Sequence, residues 1–172
     1  YEFPFRLEGV PQAIQPLNLG QLAFMNELLS GTRPLVFGVG PTGTGKSHLA
    51  LAASLNFLAR GVAKHLILTR PSPLAEGESM TPSKRADATD EGQLTPLEDE
   101  LEGFMGRAQA ENLEKAGRVM VLPLGRLRGR TFTESILLID DAQNLTVGQM
   151  RMALTRLGRG SRAIVLGDPT HT

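Results

Sequence analysis

The sequence predicts an α/β fold, a mostly parallel central sheet flanked by helices. Three observations carry that expectation. Five short apolar runs recur along the 172 residues. They are continuous rather than alternating, as in strands covered on both faces by helices. Helical patterns separate most of them, and alternation of strands with helices is the arrangement of a parallel sheet. Finally, a Gly-rich string joins the first run to the helix that follows it.

Taken in order, Leu22, Met25 and Leu29 form one helical stripe, which Ser30-Gly31 ends. Residues 35–39 make the first strand. Residues 46–60, rich in Ala and Leu, make the next helix, with Gly61 as a left-handed stop. Residues 65–69 are the second strand. Residues 71–94 carry Pro, Ser, Gly, Glu and Lys with little periodicity, so a flexible insertion is expected over 72–94. Thr95-Pro96-Leu97-Glu98 is a capping box with Pro at the first helical position. Leu97, Leu101, Phe104 and Ala108 would be that helix's apolar face. Residues 119–122 and 136–139 are the third and fourth strands. Thr146 and Gln149 form a second capping box, with Met150, Ala153, Leu154 and Leu157 as the stripe and Gly158 as the stop. Residues 163–166 are the fifth strand. A single domain over 1–172 is expected.

Composition excludes several classes. Lys plus Arg number 18 and Asp plus Glu 18, so a chain-wide cationic face for nucleic acid is excluded, although a local patch is not. There is no Cys, which excludes a disulfide scaffold and a Cys-ligated zinc and fits a cytoplasmic setting. Hydrophobic residues at 41% exclude wholesale disorder. The longest mostly apolar stretch, 49–59, is broken by Ser54 and Asn56, so no membrane span is expected. Charge is uneven: nine acids face Arg107 alone in 87–114, and nine bases face three acids in 115–162. These segments make either two solvated surfaces or an anion-binding face in the Arg-rich part.

Gly40-Pro41-Thr42-Gly43-Thr44-Gly45-Lys46-Ser47 fits G-x-x-x-x-G-K-[ST], the P-loop or Walker A pattern. Glycines let backbone N–H groups turn inward around an anion, and the new helix adds its dipole at the same point. Lys46 can reach β- and γ-phosphates, and Ser47 can bind Mg²⁺. The bland alternative is a chance Gly-rich turn. Residues 136–141 read as a Walker B strand ending in Asp140 and Asp141. A carboxylate at the end of a buried strand is costly unless a cation or donor meets it. Asp140 would hold Mg²⁺ opposite Ser47, and Asp141 would orient or deprotonate an attacking water. The alternative is that both simply cap the turn that follows.

With these residues in place, Asp140-Asp141-Ala142-Gln143-Asn144 resembles the D-E-A-Q-N segment of PhoH-like ATPases, the phosphate-starvation-inducible family related to superfamily 1 helicases. Leu68-Thr69-Arg70-Pro71 and Glu76-Gly77-Glu78 resemble the stretch after that family's second strand. Arg128-Gly129-Arg130-Thr131 resembles the segment before its Walker B strand. Residues 154–158, Gly160-Ser161 and Gly167-Asp168 resemble its later helix and third helicase-like motif. The resemblance implies a RecA-like P-loop NTPase fold and Mg²⁺-dependent ATP hydrolysis coupled to remodelling of RNA or of a partner. A homo-oligomer, arranged as a ring in which neighbours complete each other's sites, is also implied. Asp141 stands where the family usually has Glu, and His171 where it has Gln. The family domain continues beyond Thr172, so its C-terminal end is expected to be missing here.

The resemblance gives further residues roles. Gln21 falls where helicase-like proteins read adenine, since an amide offers both donor and acceptor; otherwise it pairs with Asn18 at a helix start. Gln143 would sense the γ-phosphate or the water. Asp168, Thr170 and His171 follow the fifth strand, at the sheet edge where ligands bind in open α/β folds, and would form a γ-phosphate sensor that binds the nucleotide through Asp168; the alternative for His171 is a disordered tail residue. Arg126, Arg128 and Arg130 alternate, which in an extended segment puts all three on one side, either as a row for RNA phosphates or a neighbour's nucleotide or as ordinary exposed arginines. The sparse aromatics give little support to base stacking. Neither His48 nor His65 has a partner spaced for a metal site. Two other readings compete with the RNA-linked ATPase: an AAA-type loader ATPase, and a nucleotide-gated binding module with negligible turnover. Helicase activity by this chain alone is not expected, because it needs two RecA-like domains.

Overall fold

A computed structural model describes residues 4–71 and 91–170. Five strands, β1 (Leu35–Val39), β2 (His65–Thr69), β3 (Val119–Val121), β4 (Ser135–Ile139) and β5 (Arg162–Gly167), form one sheet in the order β1-β5-β4-β2-β3. Every pairing is parallel, as the continuous apolar runs predict.

The helices are α1 (Leu19–Ser30), α2 (Lys46–Ala59), α3 (Glu91–Met105), α4 (Arg107–Lys115) and α5 (Val147–Leu154). Alternate strand residues bury on opposite faces. Leu66, Leu68, Ile136, Leu138, Ile164 and Leu166 pack with α1–α4. Ile67, Leu137, Ile139 and Val165 pack with Leu124, Leu127, Ala153 and their neighbours. Helix α2 is buried along residues 49–58. Its two polar residues there are satisfied: Ser54 Oγ donates to the Ala50 carbonyl at 2.7 Å, and Asn56 Oδ1 accepts from Glu8 N at 2.9 Å. The interruption of the apolar stretch is thus a polar lining inside the core.

Several expectations are corrected. β1 is not covered on both faces: Phe37 is 54% and Val39 66% exposed. It is an edge strand, and among the described residues the second helical layer does not extend over it. Helix α3 starts at Glu91, so Pro96 lies inside it rather than at its first turn. Tertiary burial of Leu97, Leu101 and Phe104 outweighs the missing N–H there. Ala108 does not continue that face. Gly106 at φ +82° breaks the helix, and in α4 the buried position is Ala110. Arg126 lies in a 3₁₀ turn, Leu124–Leu127, so the three arginines do not form an extended alternating row. The turn forms because Leu124 and Leu127, three apart, both bury. The insertion expected over 72–94 lies outside the described residues up to 90, and 91–94 belong to α3. Glu76-Gly77-Glu78 and His171 also lie outside them.

The register sets up the site. Val39 is opposite Gly167, and Ile139 opposite both Thr69 and Val165. Gly40 N donates to the Gly167 carbonyl at 3.1 Å, and Asp140 N to the Thr69 carbonyl at 3.0 Å. Residues just past β1, β2, β4 and β5 therefore meet at one edge, the carboxyl end of a parallel sheet. Among the described residues, no helix is long and apolar enough to cross a membrane.

Candidate functional site at the carboxyl edge of the sheet

The loop between β1 and α2 needs its glycines. Gly43 and Gly45 sit at φ +82° and +84°, where a Cβ is disfavoured. Lys46 folds over the loop, donating from Nζ to the carbonyls of Gly40 at 2.6 Å and Pro41 at 2.7 Å. Thr44 Oγ1 donates to the same Pro41 carbonyl at 2.7 Å. The ammonium is thus held at the mouth of a turn whose next residues open a helix.

Asp168 fixes the loop from the neighbouring strand. Its Oδ2 accepts from Thr42 N at 2.8 Å and Thr42 Oγ1 at 3.0 Å. Its Oδ1 accepts from Thr170 N at 2.9 Å and from the Thr170 hydroxyl at 2.5 Å. These donors, the Thr170 hydroxyl first, hold its pKa well below the usual carboxylate range. Gln143 Oε1 accepts from Asp168 N at 3.1 Å, tying the turn after β4 to the same assembly.

Across the cleft, Ser47 Oγ donates to Asp140 Oδ2 at 3.2 Å. Asp140 Oδ1 accepts from Asp141 N at 2.9 Å. Burial, then the charge of Asp141, pushes the Asp140 carboxyl up. Asp141 sits in the left-handed region at φ +53°, which Asp tolerates better than most residues. Its Oδ2 is paired with the Arg70 guanidinium.

Gln21 couples the loop to α1. Its Nε2 donates to the Thr44 carbonyl at 2.9 Å and its Oε1 accepts from Leu17 N at 2.8 Å. Asn18 caps the helix by accepting from Gln21 N at 2.8 Å. So the helix-start pairing exists, and the Gln21 amide in addition borders a cleft of about 430 Å³ that Phe24, Phe37 and Val39 also line.

The structure thus brings together Gly40 to Ser47, Asp140, Asp141, Gln143 and Asp168, with Gln21 at the rim. It leaves Arg126, Arg128 and Arg130 exposed and outside both clefts. Sequence reasoning gave no role to three residues of the second cleft, about 300 Å³: Arg70, His48 and Glu100. His48 stacks on Phe104 at 4.6 Å and stands 3.7 Å from Glu100. Burial, then Asp140, raises the Glu100 carboxyl to about 7. Arg70 had a signal, being the first residue past a strand at the ligand-binding edge. Glu100 had none, because only tertiary packing carries α3 to the cleft.

The family model for PhoH-like protein matches residues 13–172. The chain belongs to the PhoH-like protein family. It is 43% identical over 170 residues to a PhoH-like protein of Bacillus subtilis, covering 98% of this chain and 52% of that one. Identity to a PhoH-like protein of Mycobacterium tuberculosis is 39%, covering 93% of this chain and 45% of the relative. Protein PhoH of Escherichia coli is 31% identical, over 90% of this chain and 44% of its own length. The PhoH-like chain thus spans about half the length of these curated relatives. Among solved structures, the SWI2/SNF2 ATPase core of Sulfolobus solfataricus, in complex with dsDNA, aligns with a TM-score of 0.60 at 14% identity. That match covers 98% of this chain and 35% of the other, and shows a shared ATPase-core fold. Membership of the PhoH-like family displaces the AAA-type loader reading.

Proposed function

We propose that this chain is the ATP-binding unit of an Mg²⁺-dependent ATPase whose turnover is coupled to RNA. The observation that supports it most directly is the Ser47 hydroxyl facing Asp140 at 3.2 Å, beside the Lys46-covered loop. A hydroxyl and a carboxylate are hard oxygen donors. Magnesium is usually held by one or two such groups plus substrate phosphates, so the pair fits it. Bound there, the metal would neutralise charge on the β- and γ-phosphate oxygens.

The chain's own residues carry the remaining work. Loop N–H groups and the start of α2 receive the phosphates. Lys46 exchanges its two carbonyl partners for phosphate oxygens, a charge-assisted bond in place of a neutral acceptor. Asp168 holds Thr42, and with it the loop, in place. Asp141 orients the attacking water and takes its proton. Gln143, bonded to Asp168 N, is placed to report the state of the phosphate site to the turn after β4. Gln21 and its apolar neighbours receive the base.

A second reading, a nucleotide-gated module with negligible turnover, is favoured by one contact: Arg70 occupies Asp141. RNA coupling rests on Arg126, Arg128 and Arg130, all exposed, and assembly into a homo-oligomer rests on family likeness. Turnover measurements separate these. The parent should hydrolyse ATP only with Mg²⁺, faster with single-stranded RNA, and Asp141→Asn should lose nearly all turnover. Replacing all three arginines by Ala should remove the RNA stimulation. Turnover in Asp141→Asn equal to the parent's would move the water-positioning role elsewhere, and no turnover in the parent would favour the gated module.

A further inference from the structure

We infer that Arg70 is a phosphate-reading arginine supplied by the same subunit, which exchanges Asp141 for the terminal phosphate of the nucleotide. This rests on the placement of ATP proposed above.

The strand end places Arg70 at this edge. It follows β2 directly, and the Thr69 carbonyl accepts from Asp140 N at 3.0 Å. The Arg70 backbone is thus fixed one strand away from Asp140, and its side chain lines the same cleft as Lys46, Ser47 and Gln143. Its side chain is 23% exposed, so it stands inside the cleft rather than in bulk solvent. Lys46 and Arg70 are the cations of that cleft among the described residues, His48 aside. They lie on different strands' ends, β1–α2 and β2.

Charge balance explains the resting contact. Asp140, Asp141 and Glu100 line the same cleft. Arg70 offsets that negative charge by pairing with Asp141. A triphosphate brings more charge, and more acceptor oxygens, than one carboxylate. A guanidinium binds phosphate through two parallel N–H···O bonds, and Arg is the residue suited to that geometry. Transfer of Arg70 to the terminal phosphate has two consequences. It adds a cation where charge builds in the transition state, and it releases the carboxylate that orients water. Arrival of ATP and uncovering of Asp141 then become one event, and ADP, lacking the terminal phosphate, triggers neither.

The test compares ATP and ADP binding by calorimetry with Mg²⁺ in the parent, Arg70→Ala, Arg70→Lys and Lys46→Ala. Arg70→Ala should weaken ATP at least about tenfold, the scale of a lost hydrogen bond to a charged group, and leave ADP unchanged. Arg70→Lys, which keeps charge without the fork, should fall between. Turnover in Arg70→Ala should drop. If Arg70 only covers Asp141, Arg70→Ala binds both nucleotides as the parent does and turns over faster, which overturns the proposal. Lys46→Ala isolates the underlying reading: its loss of both nucleotides upholds the phosphate site whatever Arg70 does, and unchanged binding removes the site itself. Should Arg70→Ala not fold, the ATP-to-ADP affinity ratio of Arg70→Lys decides, and a ratio equal to the parent's refutes the exchange.

Discussion

At Asp168 one carboxylate accepts from Thr42 and from Thr170, each through its N–H and its hydroxyl. The Thr42 bonds bridge 126 residues of chain. Its lowered pKa makes it a stabilising group above the unfolded value, near 3.8. The folded state holds this carboxylate ionised, so the contribution is full near neutral pH and fades as pH falls from about 5 toward 2. Asp168→Asn should therefore melt below the parent at pH 7, with the gap closing in acid. A gap independent of pH would show that the carboxylate charge does not hold the loop. That Lys46, Ser47 and Asp140 share one cleft was legible from spacing, because the loop pattern and the strand-end acid are local signals. The pairing of Arg70 with Asp141 was not, since it depends on β2 lying beside β4, a register that no local pattern states. The αL backbone at Asp141 adds a reason for Asp there: Glu tolerates that conformation less well, whereas Asn tolerates it as Asp does. Asp141→Asn thus probes the carboxylate without new backbone strain.

Helix α3 shows what element-scale reading gains and loses. Its apolar positions Leu97, Leu101 and Phe104 were visible in the sequence and are buried. Its start was misplaced: the Thr95 capping signal points to a start there, whereas the helix runs from Glu91. Packing swings Glu100 over the P-loop helix, beside His48 and near Asp140. Burial and Asp140 raise this carboxyl to about 7, against an ordinary 4.5. The folded state then binds the proton more tightly than the unfolded chain. Stability on this account is greatest below about pH 4.5 and falls as pH rises through 7. Without nucleotide or Mg²⁺, Glu100→Gln should melt higher than the parent at pH 8 and equally at pH 4. A variant that melts lower at pH 8 would mean that the ionised carboxylate is stabilised, contrary to its surroundings. The arginine row failed for the opposite reason: alternation was read from spacing, while Leu124 and Leu127 fold the segment into a 3₁₀ turn to bury themselves.

At the scale of the molecule, a parallel sheet brings the segments past β1, β2, β4 and β5 together at one edge, where the candidate site lies. The strand runs, the burial of β2, β4 and β5 on both faces and the position of the phosphate loop could all be inferred from apolar continuity. The order β1-β5-β4-β2-β3 could not, because crossovers leave no local trace. Nor could the bare face of β1, where Phe37 and Val39 stand exposed beside the cleft bordered by Gln21. Every role proposed at this edge requires that a magnesium-bound triphosphate occupy the loop covered by Lys46. Calorimetric titration of ATP with Mg²⁺ into the parent and into Lys46→Ala tests it most directly. The parent should bind saturably and the variant should lose most of that affinity, since the principal side-chain charge facing the phosphates is gone while the backbone cradle remains. Equal affinity in both, with both folded, would contradict it.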